Sequence, residues 1–213
     1  VTSTAYAPHS LTYREAMELS LPEMDVDGIK VTVKEITEEQ ANATSLRAIL
    51  DGGRGRINAG KLTTVYIDGR LWMSDTPDEK RDHSHVFYRA QRIPNARVVI
   101  NGLGAGMILG ALLKLDNVAH IDVVEIDERI IKHIAPHYDD PRVTIHQGDA
   151  LAMKWPVGTT WDMAWHDIWL NMSGDNLPEM HKLHRKYGRR TQWQASWGRE
   201  HIEAQQRRGG YGW

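Results

Sequence analysis

The run Ala96-Arg97-Val98-Val99-Ile100-Asn101-Gly102-Leu103-Gly104-Ala105-Gly106-Met107-Ile108 decides the fold of this chain. Val98 to Ile100 is the kind of apolar run that forms a buried strand, Gly102, Gly104 and Gly106 supply a turn, and Met107 to Leu115 reads as a helix. A second apolar run, Ile121 to Val124, ends at Glu125. That lies roughly 20 residues past the first glycines, the spacing of a ribose-binding carboxylate in a nucleotide-binding βαβ unit. Glycines let the backbone turn sharply and come close to a ligand, and a carboxylate at the end of the next strand accepts hydrogen bonds from adjacent ribose hydroxyls. The pattern Gly-x-Gly-x-Gly lacks the sixth-position glycine that helps cradle a pyrophosphate, so a nucleoside without phosphates fits better than a dinucleotide.

Working outward, 213 residues make one large domain, or one with a small appendage, and suffice to bury a core. Hydrophobic content of 41% and charge of 25% are ordinary for a globular protein. The absence of cysteine excludes disulfides, thiolate metal sites and every mechanism with a cysteine nucleophile. No apolar run is long enough to cross a bilayer, and Val1 to Ser10 has neither a basic region nor an apolar core, so a cytoplasmic protein without membrane contact is expected. Net charge is -2, yet Arg14 to Glu39 is acidic whereas Lys182 to Arg208 carries an excess of Lys and Arg.

In chain order, residues 1–28 read as an arm or edge element with an Asp27-Gly28 turn. Ile29 to Val33 alternates as a half-buried strand does, and Thr37, with Glu39 and Gln40 behind it, caps a helix to Leu50 that Asp51-Gly52-Gly53 ends. Leu62 to Ile67, Asp68-Gly69 and Arg70 to Met73 form a β-hairpin, because Asp-Gly favours the left-handed turn. Helix is expected over His83 to Arg92. Strands and helices then alternate: strand 96–100, helix 106–115, strand 120–125, helix 127–135, and strands 142–146 and 161–166. Alternation of this kind predicts a parallel sheet in an α/β fold. Beyond Asp167 the pattern yields helices over Leu177 to Arg190 and Trp193 to Gln206 and no further strand, hence a sheet shortened at its C-terminal side. Two units are expected: 1–92, the arm, helix and hairpin, and 93–213, the nucleotide-binding α/β domain with a basic helical tail.

Val98 to Gly106, Val124-Glu125-Ile126-Asp127, Gly148-Asp149-Ala150 and Trp161 to Asp167 come in a telling order. Over about residues 62–170 the chain resembles the class I S-adenosylmethionine-dependent methyltransferase family, most closely its spermidine synthase branch. Thr76-Pro77-Asp78-Glu79 followed by His83 or His85 looks like that branch's lead-in. The resemblance implies a Rossmann-like parallel sheet and S-adenosylmethionine, or its decarboxylated form, as cofactor. It further implies that Gly102, Gly104 and Gly106 face the methionine and ribose portion and that Glu125 holds the ribose. Asp149 would accept from the adenine amino group, and Asp167 would sit beside the sulfonium as an orienting or basic group. Asp149 and Asp127 also suit turn and helix caps.

The resemblance is incomplete. Gly-Leu-Gly-Ala-Gly replaces the branch's Gly-Gly-Gly-Asp-Gly type loop, and Asp167-Ile168-Trp169-Leu170-Asn171 replaces an Asp-rich, proline-containing segment. Methyl transfer to an unknown acceptor is therefore the leading expectation, aminopropyl transfer from decarboxylated S-adenosylmethionine to putrescine the second, and a non-catalytic cofactor-binding scaffold the third. A small-molecule acceptor is expected. Trp161, Trp165 and Trp169 either line its pocket or pack in the core. The basic tail, with Arg185, Lys186, Arg189, Arg190, Arg207 and Arg208 around Trp193 and Trp197, is a candidate nucleic-acid or oligomer contact or a solvated face. Asp175-Asn176, His166, His181 and His184 read as turn, surface or packing residues, and no metal site is expected.

Overall fold

The structure, a computed structural model, describes residues 11–50 and 55–209. The helix stop expected at Asp51-Gly52-Gly53 lies outside them, as does the stretch Val1 to Ser10.

An antiparallel sheet of order β1-β2-β3-β4 comes first, with β1 Met24–Val26, β2 Ile29–Ile36, β3 Gly60–Ile67 and β4 Arg70–Ser74. Both of its tight turns are Asp-Gly pairs. Asp27 and Gly28 have φ of 49° and 79°, Asp68 and Gly69 50° and 75°, the twist that lets flanking strands pair without splaying. Helix α2, Glu38–Leu50, joins β2 to β3. Its capping box is present: Gln40 N–H donates to Thr37 Oγ1 at 3.2 Å, and Thr37 N–H donates to Gln40 Oε1 at 2.9 Å.

Five parallel strands follow: β5 Ala96–Asn101, β6 Val118–Glu125, β7 Val143–Gln147, β8 Trp161–His166 and β9 Thr191–Ser196. They pair in the order β7-β6-β5-β8-β9. The connections run outward one way from β5 to β7 and then return to the other side at β8, so a crevice opens between the ends of β5 and β8. Helices α4 Met107–Leu113, α5 Glu128–His133, α6 Leu177–Tyr187 and α7 Arg199–Gly209 flank the sheet. Val98, Ile100, Ile121, Val123, Met163 and Trp165 from the central strands are at most 2% exposed and form one continuous core with Phe87, Leu109 and Leu112.

Three local expectations change. The N-terminal stretch, read as an arm or edge element, supplies the edge strand β1 and also core: after the short helix α1 (Tyr13–Ala16), Ala16, Met17, Leu19 and Leu21 are buried in the same cluster as the parallel sheet. Helix α3 runs Pro77–Ala90, starting six residues before His83, because Thr76 caps it and Pro77 occupies its first turn. The region read as a helix from Trp193 begins instead as strand β9, paired to β8 from Trp161↔Thr191 to His166↔Ser196. Gln and Ala favour helix, but an open edge beside β8 lets the alternating Trp193 and Ala195 pack against the core.

The antiparallel sheet meets the parallel unit at α5, where Lys132 and His133 contact Asp27 Oδ2 at 3.0 and 2.7 Å and Arg129 reaches both turns. Arg129 of α5 donates to Asp68 Oδ1 at 2.8 Å, to Asp127 Oδ2 at 2.7 Å and to the Asp27 carbonyl at 3.2 Å. Both Asp-Gly turns thereby meet the start of α5, and β4 is held over the glycine turn.

Candidate active site

Strand ends build the crevice. β5 runs into Gly102, whose N–H donates to the Val124 carbonyl at 2.8 Å. A Cβ at Gly102 would run into the Asp167 carbonyl oxygen, and φ is +95° there, so this glycine is required for β5 and the segment after β8 to approach each other. A Cβ at Gly104 would instead stand 3.6 Å from Met73 Cε and 3.9 Å from Trp72 Nε1, inside the cavity. Gly106 is different. It caps α4 with φ 77°, a Cβ there would strike the Tyr138 ring, and it is not among the residues lining the cavity. Of the three glycines, Gly102 and Gly104 border the crevice, while Gly106 gives room to a tyrosine whose hydroxyl donates to the Ala105 carbonyl at 2.7 Å.

Glu125, at the end of β6, is 5% exposed. Its Oε2 accepts from Leu103 N–H at 2.8 Å, and its Oε1 accepts from Ile126 and Asp127 N–H at 2.8 and 2.9 Å. The carboxylate thus fastens the glycine turn as well as facing the cavity. A carboxylate offers about four lone-pair positions, so one remains for a ligand hydroxyl. Asp149 follows β7 in the turn expected of it. Its Oδ1 accepts from Leu151 N–H at 2.7 Å, a cap, and the residue also lines the cavity. The cap is thus made from a position on the cavity wall.

Asp167 follows β8, tied at its backbone N–H to the Asn101 carbonyl at 2.8 Å. Its carboxyl lies 3.7 Å from His83 Nε2, with 14% of the side chain exposed. Burial first, and then the negative charge of Glu79 and Glu125, push the Asp167 carboxyl up to about 8, while the Trp165 indole opposes the rise. His83, 1% exposed, is pushed down to about 3 by the same burial. At neutral pH and without a ligand, this pair is therefore a protonated acid beside a neutral imidazole.

Behind the site lies a closed chain of buried polar groups. Trp155 Nε1–H donates to the Tyr187 hydroxyl at 2.9 Å, which donates to Asn101 Oδ1 at 2.9 Å. Asn101 Nδ2 then donates to His166 Nδ1 at 2.8 Å, leaving the His166 Nε2 proton for Gln194 Oε1 at 3.2 Å. The chain spans β5, β8, β9 and α6 at the residues just before Gly102 and Asp167. Burial keeps His166 neutral, pushed down to about 3.

The resulting cavity is about 310 Å³. Glu79, Glu125, Asp149 and Asp167 line it, and no Lys or Arg does so among the described residues. Its other walls include Trp72, Trp169 and Trp197. Of the tryptophans singled out from sequence, Trp161 and Trp165 are core and Trp169 borders the site, its indole donating to Glu179 at 2.9 Å. Sequence reading missed Trp72, Glu79 and Trp197 as site residues. Glu79 and His83 stand four apart on α3, one turn and one face, a signal available once the helix is started at Thr76. Of His83 and His85, only His83 lines the cavity; His85 sets its ring 4.9 Å from that of Trp165.

The basic tail is partly structural. Lys186 donates to the Ala150 carbonyl at 2.7 Å, and Arg190 donates to the carbonyls of Thr159 and Pro156 at 2.9 and 3.1 Å. Trp193 packs against the core. No group of three or more metal-ligating side chains occurs among the described residues, and none of their helices is long and apolar enough to cross a membrane.

A parallel sheet with a glycine turn after its central strand, a ribose-spaced carboxylate on the next and further carboxylates around the switch-point crevice defines a Rossmann-like domain of the class I S-adenosylmethionine-dependent methyltransferase type. Residues 79–169 match the spermine/spermidine synthase domain. Over these residues the chain is similar to the spermidine synthase-like branch of that superfamily. Polyamine aminopropyltransferase 2 of Streptomyces coelicolor is 30% identical over 120 residues, 51% of this chain and 22% of that protein. Putrescine N-methyltransferase 1 of Nicotiana tabacum is 37% identical over 101 residues, 44% of this chain and 26% of that protein. An S-adenosylmethionine-dependent methyltransferase structure from Mesorhizobium loti is similar over 50% of this chain and 49% of that one, with TM-score 0.38 and 16% identity. The chain thus spans well under half the length of these curated relatives.

Proposed function

We propose that the protein transfers an alkyl group from an adenosyl sulfonium to an amine, with decarboxylated S-adenosylmethionine as the better-fitting donor. The observation that carries this reading is the cavity lined by Glu79, Glu125, Asp149 and Asp167 with no Lys or Arg among its described lining residues. A phosphate has no counter-charge there, whereas a sulfonium and an ammonium do. The methionyl carboxylate of S-adenosylmethionine would enter an acidic cavity, a burden that the decarboxylated donor avoids. This reverses the order expected from sequence, and the similarity to an aminopropyltransferase points the same way.

When bound, the donor supplies an electrophilic carbon on a positively charged sulfur. Glu125 accepts from the ribose, Asp149 faces the adenine edge, and the Gly102 to Gly104 turn lets the backbone come close. Asp167 accepts the proton that the incoming ammonium must lose before its nitrogen can attack, and the neighbouring tryptophans exclude water. Methyl transfer is the second reading, favoured by the similarity of the same half of the chain to putrescine N-methyltransferase.

Titration calorimetry with both donors tests the assignment. Binding of the decarboxylated donor about tenfold tighter or better is expected, and Glu125→Ala should remove it. Equal or tighter binding of S-adenosylmethionine would transfer the assignment to methylation. If neither donor bound, the reading would be lost.

A further inference from the structure

The cavity has two unlike ends. The ends of β5, β6 and β7 contribute Gly102, Gly104, Glu125 and Asp149. The ends of β8 and β9, with α3, contribute Asp167, Trp169, Leu170, Trp197, Glu79 and His83. On this second side His83 stands between Asp167 and Trp197. It lies 3.7 Å from Asp167, and its ring stacks on Trp197 at 6.4 Å and 21°.

Carboxylates are scarce on that side. If Glu125 and Asp149 serve the adenosyl half, Glu79 and Asp167 remain for all other positive charge. The donor's own aminopropyl ammonium takes one, and the amine that reacts takes the other. Within the cavity a diamine would bring a further ammonium, which, among the described lining residues, would have to settle against Ile168, Trp169 or Trp197. Burying a charge on such a surface is costly unless it is paired. The same surface favours an apolar or aromatic body: Trp169 is 9% exposed with its indole N–H satisfied by Glu179, and Leu170, 69% exposed, is an apolar rim residue.

Taking the transferase reading as its basis, we infer that the acceptor is a monoamine carried on an apolar or aromatic body, rather than a diamine or polyamine. The incoming ammonium gives a proton to the Asp167 carboxylate. The freed nitrogen lone pair forms a bond to the donor carbon next to sulfur as the carbon–sulfur bond breaks. The bonding pair stays on sulfur, leaving neutral methylthioadenosine and a secondary ammonium, and Asp167 passes its proton to solvent.

The test is steady-state release of methylthioadenosine from decarboxylated S-adenosylmethionine, with 2-phenylethylamine and putrescine as competing acceptors. The expected result is a kcat/KM for 2-phenylethylamine at least about tenfold above that for putrescine. Leu170→Glu, an exposed position where folding is not at stake, supplies the missing carboxylate and should shift the ratio toward putrescine by about tenfold. A wild-type preference for putrescine, or a Leu170→Glu ratio unchanged from wild type, overturns the acceptor assignment while the transferase reading stands. Absence of the thioether product with either amine overturns both.

Discussion

Asp167→Asn is the most discriminating single change, because it replaces a carboxyl held protonated by its surroundings with a neutral group of the same shape. Unfolded, Asp167 ionises near 3.8; folded and unliganded, it does so only at about 8. Below about pH 4 both states hold the proton, and Asp167 behaves as Asn would. As pH rises from there, the unfolded chain releases its proton while the folded chain retains it, so the folded state loses ground until the pH passes the folded value. Each unit is worth somewhat more than 1 kcal/mol, so from pH 5 to pH 9 the wild type should lose roughly 4 kcal/mol relative to Asp167→Asn. Water in the cavity lowers this figure, since 14% of the side chain is exposed. Urea unfolding of both proteins at pH 5, 7 and 9, followed by tryptophan fluorescence, measures the difference directly. Contributions from His83 and His166 are common to both and cancel. A stability gap that stays flat across this range would show that Asp167 is an ordinary ionised carboxylate, and the account of the site would fail with it.

Binding of a cationic donor should draw Asp167 back to its charged form, releasing about one proton at pH 7. Calorimetry in buffers of different ionisation enthalpy reads this number, and Asp167→Asn should abolish it. Glu125→Gln places an amide N–H₂ against Leu103 N–H or against those of Ile126 and Asp127, costing about 2 kcal/mol in thermal or urea unfolding. Gly102→Ala should cost about 3 kcal/mol or more, since its Cβ meets the Asp167 backbone, whereas Gly104→Ala should fold with a smaller loss and chiefly weaken donor binding. Asn101→Leu leaves the His166 Nδ1 acceptor and the Tyr187 O–H donor without their partner in the core, with an expected loss of about 2 kcal/mol; an unchanged urea midpoint would argue against the network.

What the chain discloses by itself depends on how local the cause is. The Asp-Gly turns and the capping box at Thr37 are each set within a few residues, and both are readable. Strand β9 is not. Thr191 to Ser196 becomes a strand because the edge of β8 is open to it, a condition some 30 residues away. The same holds for the site. Glu125, expected to hold a ribose, lines the cavity, but its grip on Leu103 is a contact between strand ends that no spacing rule announces. Trp72 reaches the cavity because the antiparallel sheet packs on the common core and is tied to α5 across 61 residues of chain. His166 and Asn101 read as separate polar residues in apolar strands; only their adjacency in the parallel register turns them into a pair.

The clasp at Arg129 also makes the site modular. The roof of the cavity comes from an antiparallel sheet fastened at its two turns and through Ile29, Val31, Val65 and Ile67 in the shared core, with Trp72 and Met73 packed at that core's margin. The two residues facing the cavity are thus a small part of what holds the units together. A lineage, or a designer, can exchange them to admit a bulkier or a differently charged acceptor while the glycine turn and its carboxylates stay as they are.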